Sequence, residues 1–198
     1  MEAAAMTEEE IDQQIRELDK EVTAKREELV ALKRKYARDV PDYALKGPDN
    51  ADVHLSDLFG DKDELMVVHN MGACCSYCTL WADGFNGIYP HLADRAGFVV
   101  VSPDAPEKQK AFAEGRGWKF PMLSDADGTF SRELGFLIQH EGKPYHMPGF
   151  TTFRKNAGGN ITRAAKDYFG PGDTYCSLWN MFDLLPEGPG NWQPSMSY

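Results

Sequence analysis

The sequence has few cysteines, little positive charge and no long apolar run. Four cysteines in 198 residues are too few for a disulfide scaffold. The net charge of -10 disfavours nucleic acids and anionic membranes as partners, because phosphate groups bind clustered lysine and arginine. No segment reaches the ~18 apolar residues of a membrane span, and Met1 to Met6 lacks the features of a signal peptide. A cytoplasmic location is therefore expected.

Three of the four cysteines lie within five residues, in the stretch "ACCSYC" that contains Cys74, Cys75 and Cys78. In a reducing compartment, such a cluster is more often catalytic or metal-binding than structural. The sequence leaves three hypotheses open at this point. The thiols form a redox pair, bind a metal, or fill a core as small apolar side chains.

The first 40 residues are predicted to form a helical arm, and residues 41–198 the folded body. Thr7 and Glu10 have the spacing of a capping box, and nothing breaks the helical pattern before Pro41. A heptad-like seam of apolar residues runs along the arm, interrupted by Lys25: Ile11, Ile15, Leu18, Val22, Leu29, Leu32 and Tyr36. The seam predicts either a homodimer or a helix folded back on its own body.

The body has the alternating pattern of an α/β protein. Strands, helices and a terminal hairpin are predicted in the order strand 65–69, helix 76–95, strand 98–102, helix 106–116, strand 120–124, helix 130–135, strands 150–154 and 161–165, and helix 173–185. A short hairpin is expected between Pro41 and Asp63, and Gly84, Gly87 and Pro90 are expected to bend or split the first body helix. The parallel strands require helices on both faces of the sheet.

The pattern places Cys75 and Cys78 at the junction between a central strand and the helix that follows it. Free backbone N–H groups and the helix dipole favour an anion there, so a thiolate at Cys75 would be nucleophilic near neutral pH. Cys78, one turn further along, could form a disulfide with it. This predicts thiol-disulfide exchange with a disulfide-containing protein or a small-molecule thiol, recycled by an unknown reductase.

Several blocks of the sequence resemble a bacterial thioredoxin-like family usually described as dithiol-disulfide oxidoreductases of uncertain function. The matching blocks are "CSYCTLWADGFNG", "HLADRAGFVVVS", "GWKFPMLSDADGTF" and "WNMFDLLP". The resemblance implies a thioredoxin-like fold with redox roles for Cys75 and Cys78, and it puts Trp81 and Asp83 in a signature helix. Tyr77 and Trp81 become candidate substrate contacts. This sequence differs from the family pattern in the extra thiol of Cys74.

The segment "YHMPGFTTF" contains a proline just before a predicted strand. In thioredoxin-like folds, a cis proline at this point lies against the active-site pair. We therefore expect a cis Met147–Pro148 bond, whose backbone would hold an extended substrate beside the Cys75 sulfur.

The segment "FPMLSDADGTFSRELGF" also resembles the corresponding part of peroxiredoxins, which predicts a peroxiredoxin-like insertion in the fold. A peroxidatic site is expected to place a threonine hydroxyl three positions before the reactive cysteine. Gly72 occupies that position here, so a thiol peroxidase is the less favoured alternative. A binding module without enzymatic activity is a further alternative.

A metal chaperone is the rival hypothesis from a different class. Cys74 and Cys78 have the C-x-x-x-C spacing used by thioredoxin-fold copper chaperones, which add a distant histidine. His146 is the first candidate for that ligand; His69, Met71 and His140 are the others. Thiolate and imidazole ligands would suit copper or zinc. The redox hypothesis requires no metal and no other cofactor.

Overall fold

The computed structural model describes residues 6–198, so most of the segment from which the lack of a signal peptide was expected lies outside the described residues. The helices are α1 Glu8–Lys33, α2 Ser76–Arg95, α3 Pro106–Arg116, α4 Thr129–Leu134 and α5 Ser177–Asp183. The strands are β1 Arg38–Val40, β2 Ala44–Lys46, β3 Asp52–His54, β4 Glu64–His69, β5 Gly97–Ser102, β6 Met122–Ser124, β7 Leu137–His140, β8 Lys143–His146, β9 Gly149–Lys155 and β10 Ile161–Tyr168. Short 3₁₀ helices cover Arg34–Tyr36 and Leu55–Phe59.

One mixed sheet organises the body, with strand order β1-β10-β9-β4-β5-β6-β2-β3. Strands β4, β5 and β6 are parallel, whereas β9 and β10 form an antiparallel hairpin beside β4. The predicted α/β architecture is confirmed. Because β4 and β5 run in the same direction, the loops that follow them meet at one edge of the sheet.

Apolar residues fill the space on both faces of this sheet, which explains why β4 and β5 read as continuous apolar runs. On one face, phenylalanines of α4 and of the segment after it, Phe130 and Phe136, pack with residues such as Val67 and Val99. On the other face, α2 and α5 contribute aromatic side chains including Trp81 and Trp179. The central strands are therefore covered on both sides.

Helix α1 leaves the body as an exposed arm. The predicted capping box is confirmed, because the Thr7 hydroxyl accepts from the Glu10 N–H while the Glu10 carboxylate accepts from the Thr7 N–H. None of the side chains of α1, which lies wholly within the described residues, is buried. The alternative of a helix folded back on its own body is therefore wrong. Strand β1 pairs with β10, so the body begins at Arg38, before the predicted boundary at residue 41.

One local prediction is wrong, and one hairpin was not predicted. Helix α2 runs unbroken from Ser76 to Arg95 and contains Pro90, so the glycines and proline do not split it. Tertiary packing of its buried face outweighs the weak local propensity. The β7–β8 hairpin was not predicted; exposed residues occupy most of it, so it lacks the apolar alternation of a half-buried strand. No helix within residues 6–198 is long and apolar enough to cross a membrane.

Gly149 allows the close approach of β9 to its neighbours. A Cβ atom at this position would collide with the Phe136 ring and with the Asp167 backbone carbonyl. We predict that Gly149→Ala lowers the free energy of unfolding by roughly 1–3 kcal/mol, because the backbone of β9 must shift. Urea unfolding followed by circular dichroism measures the change.

Gly115→Ala is the matched control. Gly115 lies in α3, and a Cβ there would meet nothing within 4 Å. Its replacement should leave stability unchanged or raise it by up to about 1 kcal/mol. Equal effects of the two substitutions would contradict the proposed close approach at Gly149.

Candidate functional site

The loop between β4 and α2 presents the cysteines, and the chain turns sharply within it. The Asn70 N–H donates to the Val101 carbonyl at 2.8 Å, which ties the loop to β5. The Asn70 side-chain oxygen then accepts from the Gly72 N–H at 2.8 Å. Gly72 has φ +106°, a backbone conformation that favours glycine. These contacts turn the chain so that Cys75 caps the start of α2.

Cys75 is the N-cap residue of α2, and its sulfur takes the position of a capping oxygen. The Sγ atom accepts from the Cys78 N–H at 3.1 Å. The first N–H groups of a helix have no partner within the helix, so they are free to stabilise a negative charge on this sulfur. Cys75 therefore lies at the N-terminus of a helix, as the sequence predicted.

The pKa of Cys75 is lowered to about 6. The largest cause is a hydrogen bond from the Cys78 side chain, and the backbone N–H groups of Cys78 and Tyr77 add to it, while partial burial opposes the shift. A thiol with this pKa is mostly thiolate at neutral pH. Cys75 is also partly exposed, so the sulfur is both charged and accessible.

Cys78 has the opposite character. It is buried, with 2% of its surface exposed, and its sulfur accepts from the Met71 N–H at 3.4 Å. The hydrogen bond to Cys75 and the burial both raise the pKa of the Cys78 thiol, so it keeps its proton at neutral pH. At neutral pH Cys75 is therefore mostly a thiolate, and Cys78 is a protonated thiol that donates a hydrogen bond to it.

The other two cysteines differ from this pair in position. Cys74 is exposed and precedes the helix, whereas Cys176 is buried at the start of α5. Burial raises the pKa of the Cys176 thiol. Within residues 6–198 all four cysteines are free thiols, so the structure corresponds to the reduced form.

Tyr77 lies between the two cysteines, and Trp81 and Asp83 follow them in α2. Tyr77 is partly buried, and its ring centroid lies 6.3 Å from that of Trp179. Trp81, a predicted substrate contact, is only 3% exposed and packs against Phe169, so the core encloses its side chain. Asp83 is bound by Arg116, and the Trp118 Nε1–H donates to it at 2.7 Å. Asp83 therefore joins α2 to α3 and to the segment that follows α3.

The expected cis bond is absent. Within residues 6–198 every peptide bond is trans, including Met147–Pro148. Both of these residues are held by backbone bonds: the Met147 N–H donates to Phe136, and the Phe169 N–H donates to the Pro148 carbonyl. The Pro148 carbonyl is thus used inside the fold, and the substrate shelf predicted from thioredoxin-like proteins is wrong in that form.

The first set of candidate metal ligands is not brought together. No group of three histidine, cysteine, aspartate or glutamate side chains within residues 6–198 is arranged to hold a metal ion, so Cys74, Cys78 and His146 do not form a site. His146 pairs with Leu137 in the β7–β8 hairpin.

The other candidate ligands have structural surroundings of their own. His69 stacks on Phe136 with ring centroids 3.7 Å apart, and burial lowers its pKa to about 3. His140 is exposed on β7, and Met71 lies in the cysteine loop itself and packs against the apolar cluster that includes Cys78. Within residues 6–198, neither His69 nor His140 therefore completes a metal site with the cysteines.

Sequence reasoning missed Asp104, which supports the cysteine loop from the end of β5. Its carboxylate accepts from the Ala73 N–H at 2.6 Å and from Lys108 at 2.5 Å. It also lies against Gly72, where a Cβ would be 2.9 Å from a carboxylate oxygen. The available signal was its place directly after a buried strand parallel to β4, where side chains from neighbouring loops converge.

The fold and the site together define a thioredoxin-fold protein with an asymmetric thiol pair at a helix N-terminus. Residues 5–198 match the family described as "Bacterial protein of unknown function (DUF899)", and the chain belongs to that family. The match covers the arm as well as the body.

Curated relatives of this chain include peroxiredoxins. Peroxiredoxin Bcp of Escherichia coli K12 is 30% identical over 132 residues, which cover 65% of this chain and 83% of that protein. A relative of Mycobacterium tuberculosis H37Rv, named for the peroxiredoxins, is 33% identical over 99 residues, which cover 45% of this chain. The match spans 64% of the length of that mycobacterial protein.

Solved structures of peroxiredoxins are also similar to this chain. Peroxidoxin BcpB of M. tuberculosis superposes with a TM-score of 0.53 at 28% identity, covering 65% of this chain and 84% of that one. PrxQ of Xylella fastidiosa has a TM-score of 0.56 at 16% identity, covering 69% and 87%, and supports the fold alone. The thioredoxin-like fold class is therefore confirmed.

The hydrogen bonds of the pair predict the pH dependence of Cys75. In a Cys74→Ser background, the rate of Cys75 alkylation by iodoacetamide should rise with pH around a midpoint of about 6 and level off above it, because only the thiolate reacts. In the double variant that adds Cys78→Ala, the midpoint should move to higher pH, since the side-chain donor is lost. An unchanged midpoint would contradict the assigned hydrogen bond.

Asp104 is predicted to be a positioning residue for Cys75. Asp104→Ala removes the acceptor of the Ala73 N–H, so the helix N-terminus should loosen and the alkylation midpoint of Cys75 should rise. Asp104→Asn keeps an acceptor oxygen and should restore the midpoint. Glu107→Ala removes a nearby carboxylate that is exposed and should have no effect. If all three variants behave alike, the loop does not depend on Asp104.

Proposed function

We propose that the protein is a thiol peroxidase in which Cys75 reduces the peroxide and Cys78 resolves the oxidised sulfur. The observation that carries the proposal is the low pKa of Cys75, about 6, beside a buried thiol that retains its proton. The kinship with peroxiredoxin Bcp supports a peroxide as the substrate. A cytoplasmic location and recycling by a cellular dithiol reductase belong to the same proposal.

In the first step, the Cys75 thiolate attacks one oxygen of the peroxide. The O–O bond breaks, the sulfur gains one oxygen as a sulfenic acid, and the other oxygen leaves as an alkoxide or hydroxide that takes up a proton. The peroxide is reduced by two electrons and the sulfur is oxidised by two. Backbone N–H groups of Tyr77 and Cys78 point at the sulfur and hold it in its reactive charge state before the attack.

In the second step, the Cys78 sulfur attacks the oxidised Cys75 sulfur. An S–S bond forms, the S–O bond breaks, and the leaving hydroxide combines with the Cys78 proton to give water. Oxidation of Cys75 removes the thiolate whose hydrogen bond and charge raise the pKa of Cys78, so the Cys78 thiol gives up its proton more readily in this step. A dithiol reductant then restores both thiols by two exchange reactions.

Gly72 bears on the choice of substrate because it lacks the hydroxyl expected three positions before a peroxidatic cysteine. In this proposal, the N–H groups at the start of α2 provide the polar contacts around the reacting oxygen instead. Gly72 itself is required by the turn, since its φ of +106° and its contact with Asp104 leave no room for a side chain.

Thiol-disulfide exchange is the second candidate, and the same thiol pair favours it. The Cys75 thiolate would attack a disulfide and Cys78 would release the mixed disulfide. The trans Met147–Pro148 bond removes the expected binding surface for an extended substrate. A peroxide needs no such surface, and for this reason we place peroxide reduction first.

The test is a comparison of single-cysteine variants in two assays. With dithiothreitol as the reductant, we expect the wild type to consume hydrogen peroxide or cumene hydroperoxide and Cys75→Ser to be inactive. Cys78→Ser should form a Cys75 sulfenic acid that dimedone traps, because the resolving thiol is missing. Cys74→Ser is the matched control next to the site and should retain most of the activity.

Insulin disulfide reduction, measured on the same variants, separates the two candidates. Activity on insulin without peroxide consumption would replace the peroxidase with the exchange mechanism. Elemental analysis of the purified protein tests the metal hypothesis. Stoichiometric copper or zinc that is lost in Cys74→Ser would contradict both redox mechanisms.

A further inference from the structure

Helix α1 carries an apolar seam that is exposed along its full length. Within the helix the seam consists of Ile11, Ile15, Leu18, Val22, Leu29 and Leu32, whose side chains are between 43% and 60% exposed. Lys25 lies between Val22 and Leu29 in the same row. At 1.5 Å per residue the helix is about 39 Å long. An exposed apolar row of this length, interrupted by Lys25 alone, marks an interaction surface.

The attachment of α1 to the body leaves the seam free. Lys33 pairs with Asp167 of β10, and Val30 and Arg34 line the groove between the helix end and the sheet. Leu29 and Leu32, the last apolar residues of the seam, remain 48% and 57% exposed. The helix therefore docks through a different face, and the seam is available to a partner.

Charge is distributed unevenly along this helix. Residues 8–21 contain seven acidic and two basic side chains, whereas residues 22–36 contain five basic and two acidic ones. Two copies arranged in parallel would place like charges at the same level. Two antiparallel copies would place the acidic half of each helix against the basic half of the other, which favours a second copy of this chain as the partner.

We propose that two copies of the protein associate through an antiparallel coiled coil of their α1 helices. The heptad assignment puts Ile15, Val22 and Leu29 at a positions and Leu18, Lys25 and Leu32 at d positions. The layers then pair Ile15 with Leu32, Leu18 with Leu29 and Val22 with Lys25 of the second copy.

The central lysine supports this orientation. In a parallel pair, the two copies of Lys25 would face each other in the seam, where like charges repel. In the antiparallel pair, each Lys25 packs its aliphatic stem on Val22 of the second copy, with its amine beside its own Glu28 at 3.0 Å. The flanking positions then place Asp19 opposite Arg26 of the second copy.

The interface is tested first by mass. Light scattering after gel filtration of the full-length protein at tens of micromolar should give twice the chain mass of 22.2 kDa. Leu18→Glu should dissociate the dimer, because it puts a carboxylate opposite Leu29 of the second copy, in an apolar layer of the seam. Thr23→Glu adds the same carboxylate to α1 outside the seam and should leave the dimer intact. A monomeric wild type, or equal behaviour of the two variants, would overturn the proposal.

The orientation is tested by two charge reversals. Asp19→Lys should weaken the antiparallel dimer at least about tenfold in Kd, since the introduced amine would face Arg26, whereas a parallel dimer would place it near Gln14 and be little affected. Glu21→Lys should strengthen the antiparallel dimer, because Glu21 faces Glu28 there. It would weaken a parallel dimer, in which Glu21 faces Arg26. A weaker dimer with Glu21→Lys and no effect of Asp19→Lys would exclude the antiparallel arrangement.

Peroxide consumption and circular dichroism are also measured for the wild type and for each α1 variant. Leu18 is 60% exposed in the single chain, so its replacement should leave the fold and the chemistry of the cysteines unchanged. The association is independent of the proposed function: a protein without peroxidase activity could still dimerise in this way, and the mass measurement detects it in either case.

Discussion

The hydrogen bonding between Cys75 and Cys78 makes two chemically identical residues unequal. The Cys75 sulfur receives the Cys78 N–H at 3.1 Å together with the Cys78 side-chain donor, so the charge settles on Cys75. The same contacts, with burial, raise the pKa of the Cys78 thiol and keep its proton in place. Because each shift depends on the other residue, the pair acts as a unit whose titration belongs to both thiols.

The position of the Cys75–Cys78 pair depends on the edge of the sheet at which β4 and β5 end. Strands β4 and β5 are parallel, so their following loops meet, and Asn70 and Asp104 join them by hydrogen bonds. The C-terminal segment closes the other side of α2: Arg116 donates to the Met196 carbonyl at 2.8 Å, and the Thr79 hydroxyl lies 3.8 Å from the Met196 sulfur. The helix that carries both cysteines is thus held by segments distant in sequence.

The arm and the body obey different physical constraints. The body buries its apolar residues on both faces of one sheet, as a chain of this size can do without help. The arm has an apolar row and a capping box but no surface of its own body to cover that row. Its helix is encoded locally by caps and charges, and its apolar row stays exposed to solvent in the single chain.

The sequence by itself determined the elements whose signals are local. The capping box at Thr7, the apolar run of β5, Pro106 at the start of α3 and the place of Cys75 at a helix N-terminus all followed from spacing and residue type. The lowered pKa of Cys75 was predicted in the same way, because the end of a helix acts on the residue that caps it.

Only the tertiary structure decided features that depend on residues far apart in the chain. The Met147–Pro148 bond is trans, and this conformation depends on how β9, which follows it, packs between β4 and β10. The sequence placed Trp81 and Asp83 in one helix, and only the structure shows that the core buries Trp81 and that Arg116 binds Asp83. The support of the cysteine loop by Asp104 arises because two parallel strands end at one edge, a juxtaposition that no local pattern records.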